Sequence, residues 1–327
     1  MPENLSIHIL TSQDLADGGT PGTVDFQQSH LLLILVHFAM QNYFLIPLWV
    51  NSLDQILSLR TTSVTTSIFL LTFFGCGSTF QNINFLTDAE EVALGQDFSR
   101  EVEKEITLYK DPFVVNYINE FGETLVRYCK RPNIRYYIKI VDTDDVNAFA
   151  LPGGYLYINR GLISLVETES ELAGVIAHEI GHVVGRHGAK SLSRQFGLEV
   201  ITRLISGANP GGIRQLVSRL ASIGNLLGMF HYSREAEREA DALAVENLVD
   251  AGYDPDGIAV FFEKLLEMKD REPGSLTLLF STHPPSRERI ENTRHLISSL
   301  SLKTGLTTDS EQFHRAKDRL PPIKNRL

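Results

Sequence analysis

The feature that most constrains this chain is Ala177-His178-Glu179-Ile180-Gly181-His182, which reads H-E-x-x-H. On a helix, His178 and His182 stand one turn apart on one face. Two imidazoles so placed can share one Zn²⁺ at about 2.0–2.1 Å each. Glu179 beside them reaches a metal-bound water without binding the metal, which is the position of a general base. The motif fixes only three positions, so its surroundings must carry weight. Thr168 followed by Glu171 is a capping-box pattern. Leu172, Val175, Ile176, Ile180 and Val183 then form an apolar stripe at helical spacing, so residues 168–187 read as a helix. Gly174, Gly181 and Gly185 oppose that helix by roughly 0.5–1 kcal/mol each relative to alanine. A helix bearing them needs close tertiary packing.

A third metal ligand must come from elsewhere. Ser233 reads as the N-cap of a helix over 234–250. Within it Glu237-Arg238-Glu239-Ala240-Asp241 reads E-x-x-x-D, with both acids on one face. Glu237 can complete a His₂Glu site while Asp241 reaches a ligand histidine and fixes its tautomer. Glu235 and Glu239 fall off that face and read as solvated acids. His187 points off the ligand face, and His231 precedes the helix; a structural role is expected for both.

The rest of the body alternates short elements. Thr87 and Glu90 form another capping box leading into a helical run to Tyr109. Asp111-Pro112 opens a second helix. Residues 134–141, 146–150 and 155–159 read as strands, with Leu151-Pro152-Gly153-Gly154 as a turn. Helical stretches follow to about Ser206 and, after the break at 207–212, over 213–230. Arg194, Arg203, Arg214 and Arg219 make them poor membrane spans.

The 327 residues, 43% of them hydrophobic, suffice for one large domain or two small ones. A net charge of −10 leaves no basic footprint for nucleic acid, and no such partner is expected. Cys76 and Cys129 are too few for a disulfide framework or a thiolate zinc site.

The first part of the chain differs. Residues 1–75 hold Glu3, Asp14, Asp17, Asp25 and Asp54 against Arg60 alone. Residues 31–50 are about long enough to span a bilayer but are interrupted by His37, Gln41, Asn42 and Pro47. Arg60, a Thr/Ser run and Ile68-Phe69-Leu70-Leu71-Thr72-Phe73-Phe74-Gly75-Cys76 have the layout of a secretory signal. This resembles a lipoprotein signal, with Cys76 as the lipidated residue, although Phe73 and Phe74 depart from the usual pattern. An uncleaved signal anchor is the alternative. Because a leader begins a chain, residues 1–58 are expected to precede the working protein, through a start codon placed too early. A real transmembrane helix at 31–50 is the other reading.

The ordered set of motifs resembles the HtpX and CAAX-prenyl-protease family of zinc metallopeptidases, most closely its soluble periplasmic BepA/LoiP-like branch. The resemblance covers about residues 85–300. It rests on Asn147-Ala148-Phe149-Ala150-Leu151-Pro152-Gly153-Gly154, the H-E-I-G-H helix, and Tyr232-Ser233-Arg234 leading to Glu237 and Asp241. Ala251-Gly252-Tyr253-Asp254-Pro255 and Ser281-Thr282-His283-Pro284-Pro285-Ser286 with Arg289-Ile290 complete it. It implies a mostly helical α+β, zincin-type metallopeptidase domain with a small three-stranded sheet beside the H-E-x-x-H helix. It implies one zinc per chain on His178, His182 and Glu237, with Glu179 as base. It also implies that His283 lies near the metal, as a mobile fourth ligand or a transition-state donor. By itself His283 reads as a turn residue before two prolines.

The expected organisation is an N-terminal extension and signal or anchor over 1–76, a peptidase domain over 81–300 and a tail over 301–327. With only a short tail following about Leu300, no counterpart of the helical-repeat domain of BepA is expected after the peptidase. Substrate is expected to add as a strand to Asn147, Ala148, Phe149 and Ala150. Such recognition suits unfolded or misassembled envelope proteins of the bacterial periplasm, with the enzyme held at the membrane. The rival readings are a latent, chaperone-like binding module closed by His283, and a hydrolase acting on something other than peptides.

Overall fold

In the computed structural model the described residues are 84–205, 228, 231–271, 277–302 and 304–323. The signal-like and apolar stretches before Cys76 lie outside them, as do the break at 207–212 and nearly all of the helix expected over 213–230. The described residues belong to one compact unit within Cys76–Leu327.

Helix α1, Asp88–Glu105, starts on a complete reciprocal cap: Thr87 Oγ1 accepts from Glu90 N, and Glu90 accepts from Thr87 N. It ends before the expected Tyr109. Leu108 instead bridges Val141, Tyr109 N donates to Ile140 O, and Asp142 N donates to Thr107 O. The edge of the sheet claims these backbone groups. Helix α2, Pro112–Tyr128, is capped by Asp111, which accepts from Phe113 N and Val114 N. Its proline at the first position loses no hydrogen bond.

Strands β1, Tyr137–Val141, β2, Ala148–Leu151, and β3, Tyr155–Asn159, form one sheet in the order β1-β3-β2. β1 runs parallel and β2 antiparallel to β3. Gly153 and Gly154, at φ 76° and 95°, make the left-handed turn that returns β2 into β3. Glu91 of α1 accepts from Gly153 N at 3.3 Å and holds the turn. Alternate side chains face two cores. Ala148, Ala150, Leu156 and Ile158 join the main core with α2; Phe149, Leu151, Tyr155 and Tyr157 join a second core with α1. Covering both faces explains why β2 and β3 are buried along their whole length.

After the short α3, Arg160–Leu165, comes α4, Glu169–Val184, which carries the H-E-x-x-H motif. Thr168 accepts from Glu171 N, but Glu171 turns away from the reciprocal bond to meet Lys264 at 2.7 Å. α5 is His187–Ile205, α6 Arg234–Ala251, α7 Asp256–Arg271, α8 Thr277–Thr282 and α9 Arg287–Ser299. The α4 glycines permit the expected close packing. A Cβ at Gly174 would lie 2.8 Å from Ile258 of α7, and one at Gly181 would lie 2.8 Å from Ala240 O of α6. In the tail, α10, Glu311–Lys317, docks Phe313 at 0% exposure into the main core. Among the described residues no helix is long and apolar enough to cross a membrane.

Candidate active site

The site forms where α4 and α6 touch. Their contact at Gly181 brings Glu237 against the two α4 imidazoles. His178 Nε2 and His182 Nε2 are 3.0 Å apart. Glu237 Oε1 lies 3.4 Å from His182 Nε2, and Glu237 Oε2 lies 3.6 Å from His178 Nε2. His283 follows α8 and enters the same space. Its Nδ1 is 3.1 Å from Glu237 Oε1, and its Nε2 is 3.6 Å from Glu179 Oε1. Ligand atoms of His178, His182, Glu237 and His283 all lie within 4.8 Å of one another, and all four residues are buried. Glu179 is also buried, and among the described residues its Oε2 has no hydrogen-bond partner.

A ring of further side chains holds these groups. Asp241 Oδ1 lies 2.9 Å from His178 Nδ1, close but not aligned as a straight hydrogen bond. Arg289 donates through Nε and Nη2 to both oxygens of Asp241, and its Nη1 lies 2.8 Å from Glu237 Oε2. Tyr232 stacks on the His182 ring with centroids 4.0 Å apart. His187 places its Nδ1 2.9 Å from His182 Nδ1.

The donor set suits a zinc ion. A tetrahedral ion with bonds of about 2.0–2.1 Å separates its ligand atoms by roughly 3.3 Å, close to the spacings observed among His178, His182 and Glu237. The charges agree. Burial disfavours a charged His178, yet Asp241 and Glu237 outweigh it and raise its pKa to about 9. Burial holds His182 well below its usual value. Burial also opposes ionisation of Glu237, but the surrounding imidazoles, His283 first, draw it well below the carboxylate range. Glu179, Glu237 and Asp241 bring three carboxyl groups to this cluster against the one guanidinium of Arg289, and a divalent cation between the ligands would offset that charge.

The residues singled out in the sequence thus come together: His178, Glu179, His182, Glu237, Asp241 and His283 share one buried cluster. Asn147 lies just before β2, while Ala148, Phe149 and Ala150 lie within it, on an edge strand of the sheet. Arg289 was legible only as part of a family motif, because nothing in its spacing points at Asp241. His187 does not stand apart from the site. The chain reverses at Arg186, whose φ of 55° is left-handed, and carries the ring back against His182. An i,i+5 spacing from His182 was the only signal available.

A mostly helical α+β fold with an H-E-x-x-H helix facing a glutamate on a second helix defines a zincin-like metallopeptidase. The model of peptidase family M48 matches residues 114–297, more than half of the chain, and the chain belongs to that family. It is 30% identical over 242 residues to the Beta-barrel assembly-enhancing protease of Escherichia coli K12, covering 72% of this chain and 49% of that one. It is 33% identical over 167 residues to the Metalloprotease LoiP of the same organism, covering 50% of this chain and 64% of LoiP. It is 26% identical over 219 residues to the Mitochondrial metalloendopeptidase OMA1 of Schizosaccharomyces pombe, covering 65% and 63%. These relatives support the BepA/LoiP-like branch read from the motifs. The chain spans about half the length of the first of them.

Proposed function

We propose that this chain is a zinc endopeptidase of the bacterial cell envelope that cuts unfolded or misassembled envelope proteins. The observation that carries the reading is the convergence of His178, His182 and Glu237 beside a buried oxygen of Glu179 that has no hydrogen-bond partner among the described residues. In this reading His178, His182 and Glu237 hold one zinc per chain. Held by these three residues, zinc would supply Lewis acidity that polarises a carbonyl and makes water easier to deprotonate into a nucleophile. Glu179 Oε2 takes the proton from the attacking water and returns it to the leaving amine. Asp241, braced by Arg289, orients His178. His283 spans Glu237 and Glu179 and restrains the site until substrate displaces it.

Among the described residues β2 pairs only with β3, so its other edge suits an added substrate strand at Ala148, Phe149 and Ala150, with Asn147 beside it. Pairing of that kind reads backbone rather than side chains. It favours chains whose strands are not already paired. The E. coli relative named for enhancing β-barrel assembly supports an envelope client. Periplasmic residence with attachment through a lipidated Cys76, or through a signal anchor, fits the pattern over 60–76. Mass spectrometry of the native N-terminus tests it, and an unmodified Cys76 inside an intact longer chain would refute attachment by lipid.

The enzymatic reading is tested with the purified chain on casein and on a stably folded protein. Casein cleavage should be abolished by a chelator and restored by zinc, with the folded protein spared. Casein left intact by the zinc-loaded wild-type chain and by His283→Ala alike would refute it.

A further inference from the structure

We propose that His187 and Glu239 position the metal ligand His182 by deciding which of its ring nitrogens carries hydrogen. The inference rests on the reading that His182 binds zinc. His187 Nδ1 is 2.9 Å from His182 Nδ1, and His187 Nε2 is 3.2 Å from Glu239 Oε2. The His182 and His187 rings meet edge-on, with an interplanar angle of 75°. A bond between two ring nitrogens needs one hydrogen between them, and a neutral imidazole has only one to give.

Glu239 settles the direction. An ionised carboxylate only accepts, so Nε2 of His187 holds the hydrogen and its Nδ1 is bare. That bare nitrogen then accepts from His182 Nδ1–H. The lone pair of His182 is left on Nε2, the atom 3.0 Å from His178 Nε2 and 3.4 Å from Glu237 Oε1. With the opposite tautomer, His182 would point an N–H at the site. His187 is 2% exposed, so water has little access to its ring nitrogens.

The backbone is arranged for this contact. A Cβ at Gly185 would come 2.5 Å from His187 Nε2, so glycine is what lets the ring fold back. Arg186 supplies the left-handed residue between them. Tyr232 stacked on the His182 ring leaves it little freedom to turn. Each α4 histidine thus has a carboxylate on its Nδ1 side: Asp241 at 2.9 Å from His178, and Glu239 through His187 for His182.

The test is zinc affinity of the full chain, by competition with a chromogenic chelator, together with imidazole ¹⁵N spectra of the zinc-loaded protein. His187→Leu should weaken zinc about 10–100-fold, the range for loss of a ligand's hydrogen-bond partner. His187→Gln offers an oxygen to the His182 Nδ1–H and should recover most of the loss. Glu239→Ala, at a half-exposed carboxylate, should fold normally and weaken zinc by a smaller factor. The spectra should show hydrogen on Nδ1 of His182 and on Nε2 of His187. Hydrogen on His187 Nδ1 would overturn the proposal, as would equal weakening by Leu and Gln. If His187→Leu does not fold, Glu239→Ala decides, and wild-type affinity in that variant would overturn it. A wild-type chain that takes up no zinc would instead overturn the proposed function, and this inference with it.

Discussion

Arg289 grips both oxygens of Asp241, Nε at 2.8 Å and Nη2 at 2.7 Å, with both side chains buried. The pair joins α9 to α6 directly behind His178. Burial alone would raise the Asp241 pKa, but Arg289 and His178 hold it below the usual carboxylate range. Arg289 also neutralises Glu237 and lies over the Phe262 ring, 4.3 Å from its centroid.

Arg289→Ala would leave two buried carboxylates without their cation. Breaking a buried pair in this way costs about 3–5 kcal/mol. Denaturant unfolding of the metal-free chain should show a loss of that order, and zinc uptake should weaken as Asp241 releases His178. Arg289→Lys should not recover either property, because an ammonium cannot bind both oxygens in one plane. Recovery by lysine would mean that charge alone matters at this position.

Gly174→Ala tests the packing of α4. Helix propensity alone favours alanine by roughly 0.5–1 kcal/mol. The new Cβ would lie 2.8 Å from the backbone and Cβ of Ile258, which cannot yield as a flexible side chain would. Overpacking of this kind costs about 1–3 kcal/mol, so the expected outcome is net destabilisation in thermal or urea unfolding. A stabilised variant would show that α4 and α7 are not in such close contact.

His283→Ala separates two roles. The imidazole lies between Glu237 Oε1 at 3.1 Å and Glu179 Oε1 at 3.6 Å, across the space a water and a scissile carbonyl need. That placement favours restraint, and basal casein cleavage is expected to rise in the variant. If His283 mainly donates to the tetrahedral intermediate, the same change should instead lower kcat by about 10²–10³. Unchanged cleavage with unchanged zinc content would reduce His283 to a turn residue.

The site was legible where its chemistry is local. His178, Glu179 and His182 lie within one turn of α4, and Glu237 and Asp241 within one turn of α6, so helical spacing suffices to place them on shared faces. Which faces meet is a different kind of fact. The contact of Gly181 with Ala240 sets it, and the two glycines of α4, with Gly185 at its C-cap, only hint at close packing. Arg289 lies 48 positions from Asp241, and no pattern in the sequence joins them. Continuing the helix through His187 puts it off the ligand face; the left-handed Arg186 breaks that continuation. α1 stops at Glu105, short of the helical pattern that runs to Tyr109, for a related reason. Thr107 to Tyr109 have helical neighbours, but their backbone groups pair with the edge of β1, a partner some thirty residues away.

In the proposed mechanism Glu179 moves the proton while His178, His182 and Glu237 hold the metal. Casein cleavage by Glu179→Gln, measured beside wild type at matched zinc content, tests it most directly. The expected result is about one zinc per chain in both proteins and cleavage reduced by at least about 10²-fold in the variant, the scale of general acid–base catalysis. Cleavage at the wild-type rate by a zinc-loaded Glu179→Gln chain would contradict it.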